Sequence, residues 1–368
     1  MRYHNLIAEL MFIDDACNLR CQYCTAPLKP IPTHNGIHTL EEYGGNIIEL
    51  DASAQAQLGI KMRRHVNKAL EIGPTPILSV IGGELTLIHG ISDFIQEVSP
   101  QYDLIILTTN GVCLDRAMID SLSQCKNLLL YFSLDGYTFE MNSYRVTTKR
   151  MSDQLLKNLQ YCLERGIKVE VQSVLHDRNI EQICGFAEYL LPYAEAGHYL
   201  KLVPFPVRWT KGEYKPADCQ LLAVEDLLAN FDKYRKILPP QSYLSGLAQF
   251  LKNGRRPNRC YVPYIVYGID HRGRVKSCPC IPAIVSSINK EPDIVRADIA
   301  KEKVLYSGRT VNSGFCHTCF EGGWEILNGY LQGSIGKNEL QGMAIGQVTN
   351  VFDVLGEIQR TMITDDVF

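Results

Sequence analysis

The sequence predicts an α/β protein made of βαβ units around a mainly parallel sheet, and three observations carry that prediction. Short apolar, β-branched runs recur through about the first two hundred residues; helical patterns separate them; and the polar or glycine-containing motifs fall directly after the runs. The first strand is expected at Leu6–Ile13. A helix follows over Leu58–Ile72, where Leu58, Met62, Val66, Ala69 and Leu70 keep helical spacing. Further strands are expected at Ile77–Ile81, Leu104–Thr108, Leu128–Leu134, Lys168–Leu175 and Tyr199–Val203. The clearest helix is Ser152–Arg165, with Leu155, Leu156, Leu159, Cys162 and Leu163 on one face, Ser152 as its cap and Gly166 at its end. Another follows Asn179, with Ile183, Phe186, Ala187 and Leu190 on one side. Gln172, polar in a β-branched strand, points either into the interior of the sheet or to solvent.

The most informative chemical feature lies just past the first strand. Cys17, Cys21 and Cys24 form a C-x3-C-x2-C run. Three thiolates in one loop can bind three irons of a 4Fe–4S cubane and leave the fourth without a protein ligand, whereas clusters that only pass electrons are closed by four cysteines at other spacings. An open iron is a place for a cofactor or substrate. Zinc is the other occupant such thiols suit, and it would want a fourth Cys or His at finger-like spacing. His34 and His38 are available, but in a proline-rich stretch.

With Tyr23 directly before the third cysteine, the run resembles the signature of the radical S-adenosylmethionine (radical SAM) enzymes. Gly82-Gly83-Glu84, after the second strand, resembles the segment of that family which meets the SAM amino group; alone, a Gly-Gly pair marks a turn. The resemblance implies a partial (β/α)6 TIM-like barrel with its chemistry on the loops after the strands. It also implies a SAM-binding 4Fe–4S cluster on Cys17, Cys21 and Cys24, Ser133 and Arg145 at the SAM carboxylate, Asn110 or Thr108 at the ribose, and Tyr23 at the adenine. Read without it, Asn110-Gly111 and Asp135-Gly136 are turn dipeptides and Arg145 a surface charge.

A second cysteine set lies further on. Cys260 and Cys278 enclose Gly273 in a C-x12-G-x4-C element, and Cys316-His317-Thr318-Cys319 adds a C-x2-C pair. Four thiolates suit zinc or a closed iron–sulfur cluster. The element resembles the Twitch/SPASM auxiliary-cluster domain, with a hairpin over Val262–Ile269, His271-Arg272-Gly273 and Val275. The small cysteine number implies the Twitch form with one auxiliary 4Fe–4S cluster. The domains expected are a barrel at 1–205, a linker with a helix near Ala223–Ile237 at 206–258, a small C-terminal β-hairpin/α auxiliary-cluster domain at 259–325, and a tail at 326–368 with a helix at Val351–Thr361. Cys113, Cys125, Cys162, Cys184 and Cys219 read as small apolar residues. Cys280 reads the same way, or as a hydrogen-atom donor beside Cys278.

At 368 residues, 46% apolar and 21% charged, the composition is that of a soluble globular chain. A net charge of −3 argues against nucleic acid, and no apolar run is long enough to span a membrane. Thirteen cysteines at ligand-like spacings point to a reducing cytoplasm. The function expected is a radical SAM enzyme that modifies a ribosomally synthesised peptide by crosslinking, epimerisation or excision. The aromatic and basic residues Arg208, Trp209 and Tyr214 and the insertion at 25–57 favour a peptide. An electron donor of flavodoxin or ferredoxin type is implied, and, because residues 1–16 leave no room before Cys17, a separate leader-peptide-binding protein. The alternative is a dehydrogenase or epimerase of a sugar-like small molecule. From another class, a non-catalytic iron–sulfur or zinc protein needs neither Glu84 nor Ser133.

Overall fold

A computed structural model describes residues 5–12, 17–24, 52–207, 218–278, 283–308 and 319–365. Six strands, β1 (Ile7–Phe12), β2 (Ile77–Gly82), β3 (Leu104–Thr109), β4 (Leu128–Ser133), β5 (Lys168–Leu175) and β6 (Leu200–Pro206), pair in parallel and in chain order. Helices α1 (Ala52–Ile72), α2 (Ile91–Val98), α3 (Arg116–Leu122), α4 (Lys149–Glu164) and α5 (Ile183–Glu195) connect them. The sheet does not close on itself, as a partial barrel requires.

Each strand has one helix-facing side. Ala8, Leu78, Ile105 and Leu128 share one register row, and all are buried. Phe12 meets the His65 ring of α1 at 5.3 Å, and the Tyr267 hydroxyl donates to the Ala69 carbonyl of α1 at 3.0 Å, which fixes the side this row faces. The next row, Glu9, Ser79, Ile106 and Leu129, therefore lines the opposite, interior face. There Ser79 Oγ donates to Glu9 Oε2 at 3.3 Å, and Tyr131, Glu170, Gln172 and Lys201 continue the polar interior by alternation.

Helix α4 begins a turn earlier than its apolar pattern indicates. Thr148 is the cap, its hydroxyl accepting the Met151 N–H at 3.2 Å, and Ser152 is buried within the helix at 3.4 Å from Asn142 Nδ2. Of the expected face, Leu155, Leu159, Cys162 and Leu163 are buried and Leu156 is half-buried at its edge, and burial pushes the Cys162 thiol up to about 12. The junction holds more than one helix. After α6 (Asp218–Ala229), Pro240 leads into α7 (Gln241–Asn253), whose Tyr243, Leu244, Leu247 and Phe250 are buried and which packs on α6.

The hairpin starts later than expected. Val262–Ile265 is a helical turn with Pro263 near its start, and strand β7 begins at Val266. β7 (Val266–Asp270) pairs in parallel with β1, and β8 (Arg274–Lys276) and β9 (Ser286–Ser287) follow antiparallel. The hairpin thus prolongs the barrel sheet, in the order β6-β5-β4-β3-β2-β1-β7-β8-β9. Helices α8 (Pro292–Gly308), α9 (Gly322–Gln332) and α10 (Val351–Asp365) complete the described chain. The segment between α9 and α10 covers the start of β5: the Ala344 N–H donates to Glu170 Oε1 at 3.3 Å, and Lys168 Nζ to Gln347 Oε1 at 3.3 Å. Among the described residues no helix is long and apolar enough to cross a membrane.

Candidate active site

The motifs after β1, β2 and β3 converge at one end of the sheet. Gly82 closes β2 where no side chain fits, since a Cβ there would lie 1.8 Å from the Phe12 carbonyl oxygen. The chain then turns through half-buried Gly83 into Glu84, which is fully buried. Glu84 Oε1 accepts from Thr86 N at 3.1 Å, Thr86 Oγ1 at 2.6 Å and Thr109 Oγ1 at 2.7 Å, and Oε2 accepts from Asn110 N at 2.6 Å. Burial raises its carboxyl pKa, and these donors oppose the rise.

Asn110, placed by Glu84, reaches the cysteine loop. Its Nδ2 donates to Asn18 Oδ1 at 2.7 Å and lies 3.6 Å from Cys17 Sγ; its Oδ1 accepts from Val112 N at 3.0 Å. Gly111 follows at φ +76°, where a Cβ would stand 2.2 Å from the Phe132 ring. Asn18 in turn donates to Cys113 Sγ at 3.1 Å. Cys17, Glu84 and Asn110 are therefore one hydrogen-bonded unit, and Thr108 is half-buried one turn of the pleat before it.

The other side of the loop is tied to β4 and β5. Cys24 N donates to Cys21 O at 3.0 Å, and Gln22 N to Tyr144 O at 2.9 Å. The Tyr23 hydroxyl donates to Asp135 Oδ2, and its ring stacks on His176 at 5.9 Å, with Tyr144 on the same imidazole at 4.7 Å. Arg145 is buried: Nη2 donates to Asp135 Oδ1 at 3.2 Å, Nη1 lies 3.9 Å from Cys21 Sγ, and Nε has no partner among the described residues. Burial by itself would push the Asp135 carboxyl up, but Arg145, with His176 and Tyr23, outweighs it and holds the pKa at about 2. Ser133, the last residue of β4, is half-buried beside Gln172 of β5 in the register. Gln172 is itself buried, its Nε2 without a partner among the described residues, which answers the question of its direction.

The donor set suits a thiolate-bound cluster. All three cysteines are free, and burial raises Cys17 and Cys21 to about 12 and about 11, with the Glu84 charge adding to the rise at Cys17 and the Arg145 charge opposing it at Cys21. Cluster binding would therefore release protons. No three His, Cys, Asp or Glu side chains among the described residues converge as ligands of one ion would.

The second set is only partly within the described residues. Cys316 and Cys280 lie outside them, as do Arg208, Trp209, Tyr214 and most of the 25–57 insertion. Cys260 is buried just before β7, Cys278 half-buried just after β8, and Cys319 half-buried just before α9. Helix α9 binds the Cys260 segment along one side. Asn328 Oδ1 accepts from Tyr261 N at 2.8 Å, Gln332 Oε1 from Arg259 N at 2.6 Å, and Glu325 Oε1 from Asn258 Nδ2 at 2.9 Å. Of the residues that form these sites, Asn18, Asp135, His176 and the α9 row carry no motif; the one local signal is a polar residue beside a cysteine.

The Radical SAM superfamily model matches residues 11–190. The GTP 3',8-cyclase of Synechocystis sp. is 25% identical over 64% of this chain and 64% of its own length. Streptococcus suis SuiB bound to its precursor peptide SuiA shares the fold with a TM-score of 0.55 at 15% identity, covering 88% of this chain and 72% of that one. The enzyme anSMEcpe, with bound AdoMet and a peptide, does so at 0.53 and 14%, covering 97% and 98%.

Proposed function

We propose, on the premise that this chain carries a radical SAM domain holding a 4Fe–4S cluster and S-adenosylmethionine, that it is an enzyme that reductively cleaves SAM to a 5′-deoxyadenosyl radical and abstracts a hydrogen atom from a ribosomally synthesised peptide. The observation that carries this reading is the convergence of Cys17, Glu84 and Asn110 through direct hydrogen bonds at the ends of β1, β2 and β3. Cys17, Cys21 and Cys24 hold the cluster. Glu84 fixes the loops after β2 and β3, and the half-buried backbone at Gly82 and Gly83 is assigned to the SAM amino group. Ser133 and Arg145, whose Nε has no partner among the described residues, are the donors offered to the SAM carboxylate, Asn110 the group nearest the ribose, and Tyr23 the aromatic wall. Cys260, Cys278, Cys316 and Cys319 are assigned to an auxiliary 4Fe–4S cluster of Twitch type, with zinc as the competing occupant.

A peptide substrate draws on the two fold neighbours, whose structures contain peptides. A second reading, a nucleotide or sugar-like small molecule, draws on the GTP 3',8-cyclase relative. The electron donor in either case is a flavodoxin or ferredoxin, and a peptide substrate brings a separate leader-binding protein. The test is anaerobic: reduced, reconstituted protein with SAM, scored by mass spectrometry for 5′-deoxyadenosine with and without a short peptide encoded beside its gene. Stimulation with a mass change in the peptide supports the first reading. Turnover stimulated only by nucleotides or sugars supports the second, and no 5′-deoxyadenosine under any condition refutes both.

A further inference from the structure

We propose that Asp135 is a positioning residue for the cysteine loop, which holds Tyr23 and Arg145 in place and cancels the guanidinium charge beside Cys21. The proposal deepens the reading of Cys21 as a cluster ligand and rests on it. Asp135 is fully buried, and its own position is over-determined. Its N–H donates to Asn142 Oδ1 at 3.0 Å, its carbonyl accepts from Asn179 Nδ2 at 2.9 Å, and Oδ1 also accepts from Val174 N at 3.1 Å. The carboxylate thus projects from a rigid frame that joins β4 to β5.

What it projects toward is the loop. Oδ2 takes the Tyr23 hydroxyl, and Oδ1 takes Arg145 Nη2 at 3.2 Å, while Nη1 of the same guanidinium lies 3.9 Å from Cys21 Sγ. The Arg145 Cζ also stands 5.5 Å from the Tyr23 ring centroid. His176 completes the frame. Its Nδ1 accepts the Arg178 N–H at 3.2 Å, its Nε2 lies 3.6 Å from Asp135 Oδ2, and its ring backs Tyr23. A buried guanidinium stripped of its carboxylate is an uncompensated charge. Next to a ligand thiolate, it would draw electron density from the sulfur and make the cluster easier to reduce, because net charge and hydrogen bonds at the sulfurs set cluster potentials. The pair Asp135–Arg145 therefore keeps the Cys21 ligand electrostatically neutral in its surroundings while still presenting Arg145 to the site.

The test is a redox titration, followed by EPR, of the anaerobically reconstituted full chain, as wild type, Asp135→Asn, and Asp135→Asn with Arg145→Gln. Asp135→Asn is expected to raise the reduced-to-oxidised ratio at a fixed potential about tenfold, a positive shift of about 59 mV for a one-electron couple. The double variant, with neither charge, is expected to return to within about threefold of wild type. A purely structural role would lower the Tm of both variants and leave the ratio alone, and that result overturns the proposal. If Asp135→Asn fails to load iron, the double variant decides: loading with a wild-type ratio upholds charge cancellation, and failure to load overturns it. The EPR change on adding SAM to wild type reports separately on the radical SAM reading, and its absence would sink that reading without touching the redox comparison.

Discussion

Replacing Glu84 with Gln keeps the shape of the side chain and removes one acceptor from a site that uses both. In the wild type, Oε1 accepts from Thr86 N and two hydroxyls and Oε2 accepts from Asn110 N, all within 3.1 Å. Either orientation of the amide sets its NH2 against a backbone N–H, of Asn110 in one case and Thr86 in the other. The hydroxyls can rotate to accept; the backbone donors cannot. One buried N–H is thus left unmade, at about 1–3 kcal/mol. With about 2.1 cal/mol/K of unfolding entropy per residue, a loss of about 2 kcal/mol lowers the Tm of a chain this long by about 2–3 °C. Because Asn110 carries the contact to Asn18 and Cys17, 5′-deoxyadenosine formation should fall at least about tenfold, more than so small a stability loss accounts for. Circular dichroism melts of the metal-free protein and a product assay of the reconstituted one provide the two numbers. A variant with wild-type Tm and wild-type product yield would refute the account of Glu84 as the link between the loops.

Three other outcomes are expected. Replacing Cys17, Cys21 and Cys24 together with Ala should abolish SAM cleavage, whereas Cys260→Ala should spare part of it without substrate modification; mass spectrometry of 5′-deoxyadenosine separates the two. Gly82→Ala should cost about 3 kcal/mol or more, read from urea midpoints, because its Cβ would overlap the Phe12 carbonyl oxygen at 1.8 Å. Burial raises Glu325 from 4.5 to about 7, with Arg256 and the Asn258 and Asn328 amides opposing. A raised folded pKa means the native state binds the extra proton, so this contribution is complete below about pH 4.5 and is lost as pH rises through 7. The loss is on the order of 3 kcal/mol. Wild-type Tm should therefore fall between pH 5 and pH 8, and Glu325→Gln should flatten that fall; equal slopes would exclude Glu325 as the titrating group.

The parts of the fold legible in the sequence were those encoded within a few residues. The apolar run Leu128–Ser133 reports a buried strand and the helical spacing of Leu155, Leu159 and Cys162 a helix buried on one side, and both elements lie within a few residues of where they were expected. The ends were harder. Ser152 and Thr148 are equally good caps in isolation, and only the contact of Ser152 with Asn142 shows why it was taken inside. The same limit applied at the site. Three cysteines and a Gly-Gly-Glu segment announce themselves by spacing, but Asp135 looked like half of a turn because its partners, Tyr23, Arg145 and His176, come from three different parts of the chain. Pro263 was the available sign that Val262 begins a helical turn. The pairing of β7 with β1 had no local sign at all, since each is a fully buried strand whose sequence does not single out the other as its partner.

That last pairing has a consequence for how the protein is made. Strand β1, which leads into the cysteine loop, lies in the middle of the finished sheet, between β2 and β7. Its first partner is synthesised by residue 82, but its second only by residue 270. At about 5–20 residues per second, roughly ten to forty seconds separate the two on the ribosome. Throughout that interval β1 presents an open apolar edge, the kind of edge that recruits other chains. Growth at lower temperature, or slower translation between β6 and β7, will therefore alter the yield of this protein through an edge that is invisible in the folded molecule. Iron delivered before residue 270 emerges would meet a loop whose supporting strand is paired on one side alone.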